Sequence, residues 1–410
     1  MSPLDEMDLA RTLRTQADRP DLTPIGLDDI KSTARGIRRR RRIGTGLAAL
    51  AIVAGAAVPG TLLLDRDAPR VDDPIDDPDV VQLEYGREVP LDLRDATPGE
   101  LPTTTGFVID RRTVQLGDDL QIDDPGTTQQ AVPLGDGWFV QGYAEGEGEV
   151  GWIVDADGTT ADGFPSAAPA HDPATGRTAY VVRETGPDRA ELVVADEAGE
   201  VQWRAEVDGD TVPRAFSGDD VITVVEPTTT AESRELRRVA PDGTVTPVGT
   251  PPEGFADLDP ATGRVTAQVD VLADNTGCFA VLDVATGEPA WERTCDYGLL
   301  DFSPDGRFLS AGAAYRSGIG DPTISVLDAT TGETVVDFVP PQGLQFAIIQ
   351  SAWEDADSLL ISVEQSDGEE PAEYAVLRLD LYGTVELVSE VLPYAASADF
   401  RLSLLHPQAH

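Results

Sequence analysis

The side chains able to do chemistry are few, or badly spaced for it. The histidines are His171, His406 and His410. A zinc centre or a nucleophile triad needs such groups converging from neighbouring elements. Two of the three stand at the extreme C-terminus, and His171 opens HDPATGR, a turn frame. DADGTTAD (residues 155–162) alternates carboxylates as a calcium loop does. Its glycine is fourth instead of sixth, so a β-turn is expected there and not a cation cage. Neither a G-x-S-x-G elbow nor a Walker loop occurs. Carboxylates are so abundant that glycosidase-like spacings arise by chance. Cys278 and Cys295 bracket one hairpin, CFAVLDVATGEPAWERTC. A two-residue turn at Thr286-Gly287 would set them directly opposite, in a non-hydrogen-bonded pair where side chains come closest. A longer turn would shift the register by two and offset them. An oxidising compartment favours a disulfide, with two buried thiols as the alternative. No catalytic, cofactor-binding or metal-binding residue is assigned.

The elements that would position any site are plainer. Glycine turns recur at Gly158, Gly199, Gly243, Gly287, Gly332 and Gly383, with gaps of 41, 44, 44, 45 and 51 residues. A period of roughly 40–50 residues with strands on both sides predicts four-stranded propeller blades. A second series interleaves at Gly137, Gly176, Gly218, Gly263, Gly306, Asp357 and Asp399. Each of its turns precedes a β-rich run such as WFVQGYA, RTAYVV or SLLISV. One series joins inner strands and the other joins outer strands. Seven inner turns against six later outer ones imply that the missing outer pair lies at 107–122, around Gly117. Its inner partners would come from 394–405 and close the ring. The expected fold is therefore an all-β, seven-bladed β-propeller. A six-bladed ring with an accessory hairpin at 107–122 is the alternative.

Ahead of the propeller, an uncharged run begins at Ile43 and ends at Leu64, long enough as a helix to cross roughly 30 Å of hydrocarbon. Five arginines, Arg38 to Arg42, abut its N-terminal side, which orients residues 1–42 toward the cytoplasm. An uncleaved anchor is expected, with a cleaved, twin-arginine-like signal as the rival reading. Residues 1–42 read as short helices, either a partner-binding element or a basic tether to the membrane surface. Residues 65–106 read as an acidic, proline-rich stalk and lead-in. The propeller takes 107–405, and 406–410 form a tail. Beyond residue 64 the chain holds 20 basic and 67 acidic residues, a net charge of −47. That excludes a general nucleic-acid binder, whose footprint is basic.

FSPDGRFLS (residues 302–310) resembles the inner hairpin of WD-type and TolB-like propellers. VLDVATGEPAW (residues 281–291) is similar to the A-x-D-x-x-T-G-x-x-x-W motif of PQQ-like quinoprotein propellers. VLDATTGETVV carries Val336 in place of the tryptophan, and ADEAGEVQW keeps Trp203 but is one residue shorter. The likeness implies that Trp291 and Trp203 lock blades together; it implies no cofactor. The layout also resembles exported propeller proteins of actinobacteria, some of them similar to partners of extracytoplasmic-function sigma factors. The function expected is a noncatalytic scaffold or sensor for a protein, peptide or envelope ligand. A carboxylate-based or metal-dependent hydrolase at the channel is the alternative, and signalling through the N-terminal segment is a third reading. Carboxylates converging in a deep channel would favour the enzyme, and an aromatic-edged surface would favour binding.

Overall fold

Glycine at positive φ makes the outer turns. Gly158, Gly199, Gly243, Gly287, Gly332 and Gly383 have φ between 71° and 86°, a region closed to most residues with a Cβ. Each donates its N–H back to a carbonyl three or four residues earlier, as Gly199 does to Asp196 at 2.9 Å. The computed structural model describes residues 83–102, 105–109, 112–117, 120–146, 148–183, 189–226, 234–252, 254–272, 276–314, 320–368, 371–393 and 402–405. The arginine run, the apolar run at 43–64, the stalk at 65–80, the turn at Asp399 and the tail at 406–410 lie outside these residues.

The strands form seven sheets. Blade 1 pairs Leu402–Leu405, innermost, with Gly106–Ile109, Thr113–Leu116 and Leu120–Asp123. Blades 2, 3 and 4 are regular four-stranded sheets within 127–165, 170–207 and 211–249. Blade 5 has Phe255–Asp259, Arg264–Val271 and Gly277–Asp283, and its fourth place is held by 289–294 through isolated bridges. Blades 6 and 7 begin at Tyr297–Phe302 and Gln345–Trp353. Ring closure departs from the expectation in one respect. Gly106–Ile109 is the second strand of blade 1, so three strands of that blade come from the start of the propeller and only the innermost from its end. The inner pair of that blade is thus formed by two distant chain segments and needs no turn.

Both faces of each blade pack on a neighbour, which is why the run SLLISV is buried at every position from Leu359 to Val363 where a half-exposed strand would alternate. Buried clusters sit at all seven junctions. Val114 and Trp138 join blades 1 and 2, Phe139 and Tyr180 blades 2 and 3, and Leu192 and Phe216 blades 3 and 4. Leu236 and Leu258 join blades 4 and 5, Val281 and Leu299 blades 5 and 6, and Phe338 and Leu359 blades 6 and 7. Phe107 and Leu404 meet Leu360 and Tyr374, so blade 7 packs on blade 1. A six-bladed ring with an accessory hairpin would leave that last junction empty.

The lead-in is structured where no strand was expected. Arg87–Pro90 pairs in parallel with the outer strand of blade 6, and Thr97–Pro98 with that of blade 7. Leu91 and Leu93 are buried between them, and Leu93 N donates to Gln365 Oε1 at 2.9 Å. Residues 83–102 therefore run as a belt outside two blades before the chain enters blade 1.

Candidate functional site

The repeated DPATGR turns build clamps between blades. In the second copy Asp259 accepts from Ala261 N at 3.0 Å and from the Thr262 hydroxyl. Arg264 Nη2 donates to Asp259 at 3.1 Å and to Gly306 O of blade 6 at 3.1 Å, and Nη1 to Ala329 O at 3.0 Å. A Cβ on Gly306 would fall 2.6 Å from the Asp259 carboxylate, so glycine is required there. The first copy repeats the device, with Arg177 Nη2 reaching Gly218 O of blade 4 at 2.7 Å. Trp291 extends the pattern on the outer rim. Its Nε1 donates to Ala329 O at 3.1 Å and its ring covers Gly332. Trp203 lies half-buried against the junction of blades 3 and 4. Both tryptophans thus serve packing.

Bulges shape the channel. Inner strands of blades 2, 4, 5, 6 and 7 each carry one extra residue against their partners. A bulge re-aims the side chains beside it. In blade 4 the extra residue is Arg214; in blades 5 and 6 the shift spans Asp257 and Asp301. The backbone there is held by hydroxyls. Asp257 N donates to Thr266 Oγ1 at 3.0 Å, and Asp301 N to Ser310 Oγ at 3.1 Å. Asp257 Oδ2 accepts from Phe302 N at 2.7 Å, stitching blade 5 to blade 6. Asp257 is 5% exposed and Asp301 6%. Burial, then the charge of Asp301, push the Asp257 carboxyl well above the usual range, against the pull of the Phe302 and Leu258 N–H groups and Arg214.

Two spaces open from this level, toward opposite ends of the inner strands. The larger, about 700 Å3, is lined among others by Arg214, Arg234, Asp301, Asp321, Phe279 and Gln350. The smaller, about 120 Å3, touches His171, Arg214, Asp257, Trp353 and Glu354. Gln268 of the strand Arg264–Val271 lines the larger space, and exposed Val269, Val271 and Leu272 follow it along the chain. At the smaller end Glu354 takes both Arg378 Nε and Nη2, at 2.5 and 2.9 Å. His171 lies on the inner strand Ala170–Asp172, not in the turn itself, with Nδ1 3.0 Å from Thr178 Oγ1. Thr178 Oγ1 donates to Pro133 O, so the His171 Nδ1–H donates to Thr178. Burial pulls its pKa down to about 4. His406 and His410 lie outside the described residues.

Cys278 and Cys295 are bonded, with Cα atoms 4.1 Å apart. The turn between them is longer than two residues: Asp283 N donates to Glu288 O, and Leu282 faces Pro289. Two extra residues between Pro289 and Thr294 restore the offset, so that Phe279 and Thr294 exchange both hydrogen bonds. The cysteines then fall in the adjacent non-hydrogen-bonded pair. Among the described residues no group of three or more His, Cys, Asp or Glu is placed to hold a metal ion.

No local motif in the sequence marks Arg214, Asp257 and Asp301 as site residues. Their spacing, 43 and 44 residues, matches the blade period, and that is the signal that would have found them.

The fold defines a seven-bladed β-propeller. No protein-family model matches the chain, and no curated protein matches it. Solved structures of similar fold include TolB from Acinetobacter baumannii, at 14% identity over 58% of this chain and 64% of that one, TM-score 0.35. The Dos1 propeller is similar at 14% identity over 75% and 78%, TM-score 0.39. Synechocystis apocarotenoid oxygenase is similar at 12% identity over 76% and 95%, TM-score 0.44.

Proposed function

We propose that the protein is a noncatalytic binding scaffold or sensor, its propeller held outside the cell membrane by the segment from Ile43 to Leu64. The observation that carries this reading is the open cavity at one end of a ring packed at every junction, with exposed Val269, Val271 and Leu272 following Gln268 of its lining along the chain. A rigid scaffold presenting a shaped mouth suits recognition of a protein, peptide or envelope ligand. The channel carboxylates fit the enzyme reading in one respect, because burial and the charge of Asp301 push the Asp257 carboxyl above its usual range. Its Oδ2, however, is occupied by the Phe302 N–H, and the residue is only 5% exposed. A general acid must reach its substrate, so Asp257 acts in this reading as a stitch between blades. Signalling to a cytoplasmic sigma-factor partner would run through residues 1–42.

A photo-crosslinking residue at Val271 tests the scaffold reading. It should capture one defined ligand in living cells, while the same group at Tyr382, an exposed turn residue at the other end of the strands, should not. Equal capture at both positions would refute the assignment of the face. Protease added to spheroplasts should release the propeller and spare an N-terminal tag; the reverse pattern would reject the proposed orientation.

A further inference from the structure

We infer that the 700 Å3 cavity binds a short zwitterion, an α-amino acid or a peptide of a few residues, with its carboxylate toward Arg214 and Arg234 and its ammonium toward Asp301 and Asp321. This rests on the noncatalytic binding reading and specifies the ligand. The volume lies within the roughly 300–1,000 Å3 typical of small-molecule sites.

Arg214 is the strongest pointer. It is the extra residue of the blade 4 bulge, so the backbone irregularity is what aims it inward. Its side chain is 16% exposed, yet its Nε is covered and has no hydrogen-bond partner. Its Nη2 makes only a long contact, 3.4 Å, to Glu226 Oε1. Glu226 also accepts from Arg234 Nε at 2.9 Å. Two guanidinium groups thus share one carboxylate at the cavity wall, in a region of the chain where acidic residues far outnumber basic ones. A largely desolvated guanidinium with few acceptors gains from an added anion, and its planar fork suits a carboxylate.

The opposite sign stands two blades away. Asp301 belongs to the inner strand of blade 6, and Asp321, on the same cavity lining, is pinned by paired backbone bonds to Ile348 of blade 7, 3.1 and 2.7 Å. A dianion entering the cavity would meet these carboxylates, and a simple cation would meet the two arginines. A ligand carrying both charges, separated by a short body over Phe279, Ile348 and Ile349, matches the sign of the side chains on each wall. Gln350, whose Oε1 already holds Leu404 N at 2.7 Å, ties this wall to the strand that closes the ring.

The test is calorimetric and uses the full chain. The probes are the twenty free amino acids and the twenty alanyl dipeptides, each beside its N-acetyl and its C-terminal amide form. At least one free zwitterion should bind, and either block should weaken it about tenfold or more, the loss expected for a hydrogen bond to a charged partner. Strength in the amino-acid arm or the dipeptide arm tells which source the site takes. Arg214→Gln should weaken the same ligand similarly. Should that variant misfold, the blocked ligands on wild-type protein and the Arg234→Gln variant decide the same question. Absence of binding across both arms, or equal binding of blocked forms, would overturn the inference; specific capture at Val271 would then still support the broader scaffold reading. Chemical conversion of a bound ligand would instead overturn the noncatalytic reading.

Discussion

His171 and Asp257 make the stability of the ring depend on pH with opposite signs. For His171 the folded pKa is about 4, below the ordinary 6.5, because burial disfavours the imidazolium. Between these values the unfolded chain binds more protons, so this contribution is complete above about pH 6.5 and is lost as pH falls toward 4. Asp257 is raised by burial, so its contribution is present at low pH and declines as pH rises above the ordinary 3.8. Comparing wild type with His171→Gln in urea titrations isolates the first effect. The variant should lose less stability than wild type between pH 6.5 and 4; parallel pH curves would contradict the assignment. Arg264 offers a second test. Asp259 is 1% exposed, and removing its cation leaves a buried carboxylate without charge compensation. Arg264→Ala should lower the unfolding free energy by about 3 kcal/mol, read from the urea midpoint, whereas Arg204→Ala, an exposed ion pair with Glu191, should cost under about 1 kcal/mol.

At the scale of elements, the belt and the disulfide hairpin behave differently. Leu91 is fully covered between blades 6 and 7. Leu91→Ala should cost about 3 kcal/mol, the usual result of emptying a buried leucine site; a cost under about 0.5 kcal/mol in a denaturant titration would show that the belt is dispensable. Reducing Cys278–Cys295 frees a loop of 17 residues' separation and should cost about 3 kcal/mol at most. Thiol titration of unreduced, denatured protein should find no free thiol. Blades were legible because an outer turn needs a residue free of Cβ at positive φ, and that demand fixes glycine in the sequence at each period. LGDGW departs from the expectation: Gly135 and not Gly137 takes positive φ, at 61°, while Gly137 begins a strand. The belt was hidden by its own chemistry. Pro90 and Pro98 suit edge strands, which tolerate a missing N–H, but in a short acidic stretch they read as linker. Bulges left no local mark either, since one added residue changes register without changing composition. Arg214 and Asp257 therefore carry no local mark as channel groups; only their spacing at the blade period points to them.

For the whole molecule, the net charge of −47 beyond residue 64 disfavours self-association and contact with anionic surfaces. Charges of both signs at one cavity stand out against that background. The cavity, the clamps and the last buried junction all depend on one event, the docking of Leu402–Leu405 beside Gly106–Ile109 to complete blade 1. That pairing is the centre of the account, because an open ring would expose strand edges and dissolve the channel. Val108 and Ser403 face one another across it, and antiparallel partners lie within the Cα separation a disulfide spans. The direct measurement is mass spectrometry of the double variant Val108→Cys, Ser403→Cys, digested without reduction. A peptide linking positions 108 and 403, formed in high yield beside the native Cys278–Cys295 link, is the result predicted; free thiols at 108 and 403 in folded protein would contradict closure of the ring through blade 1.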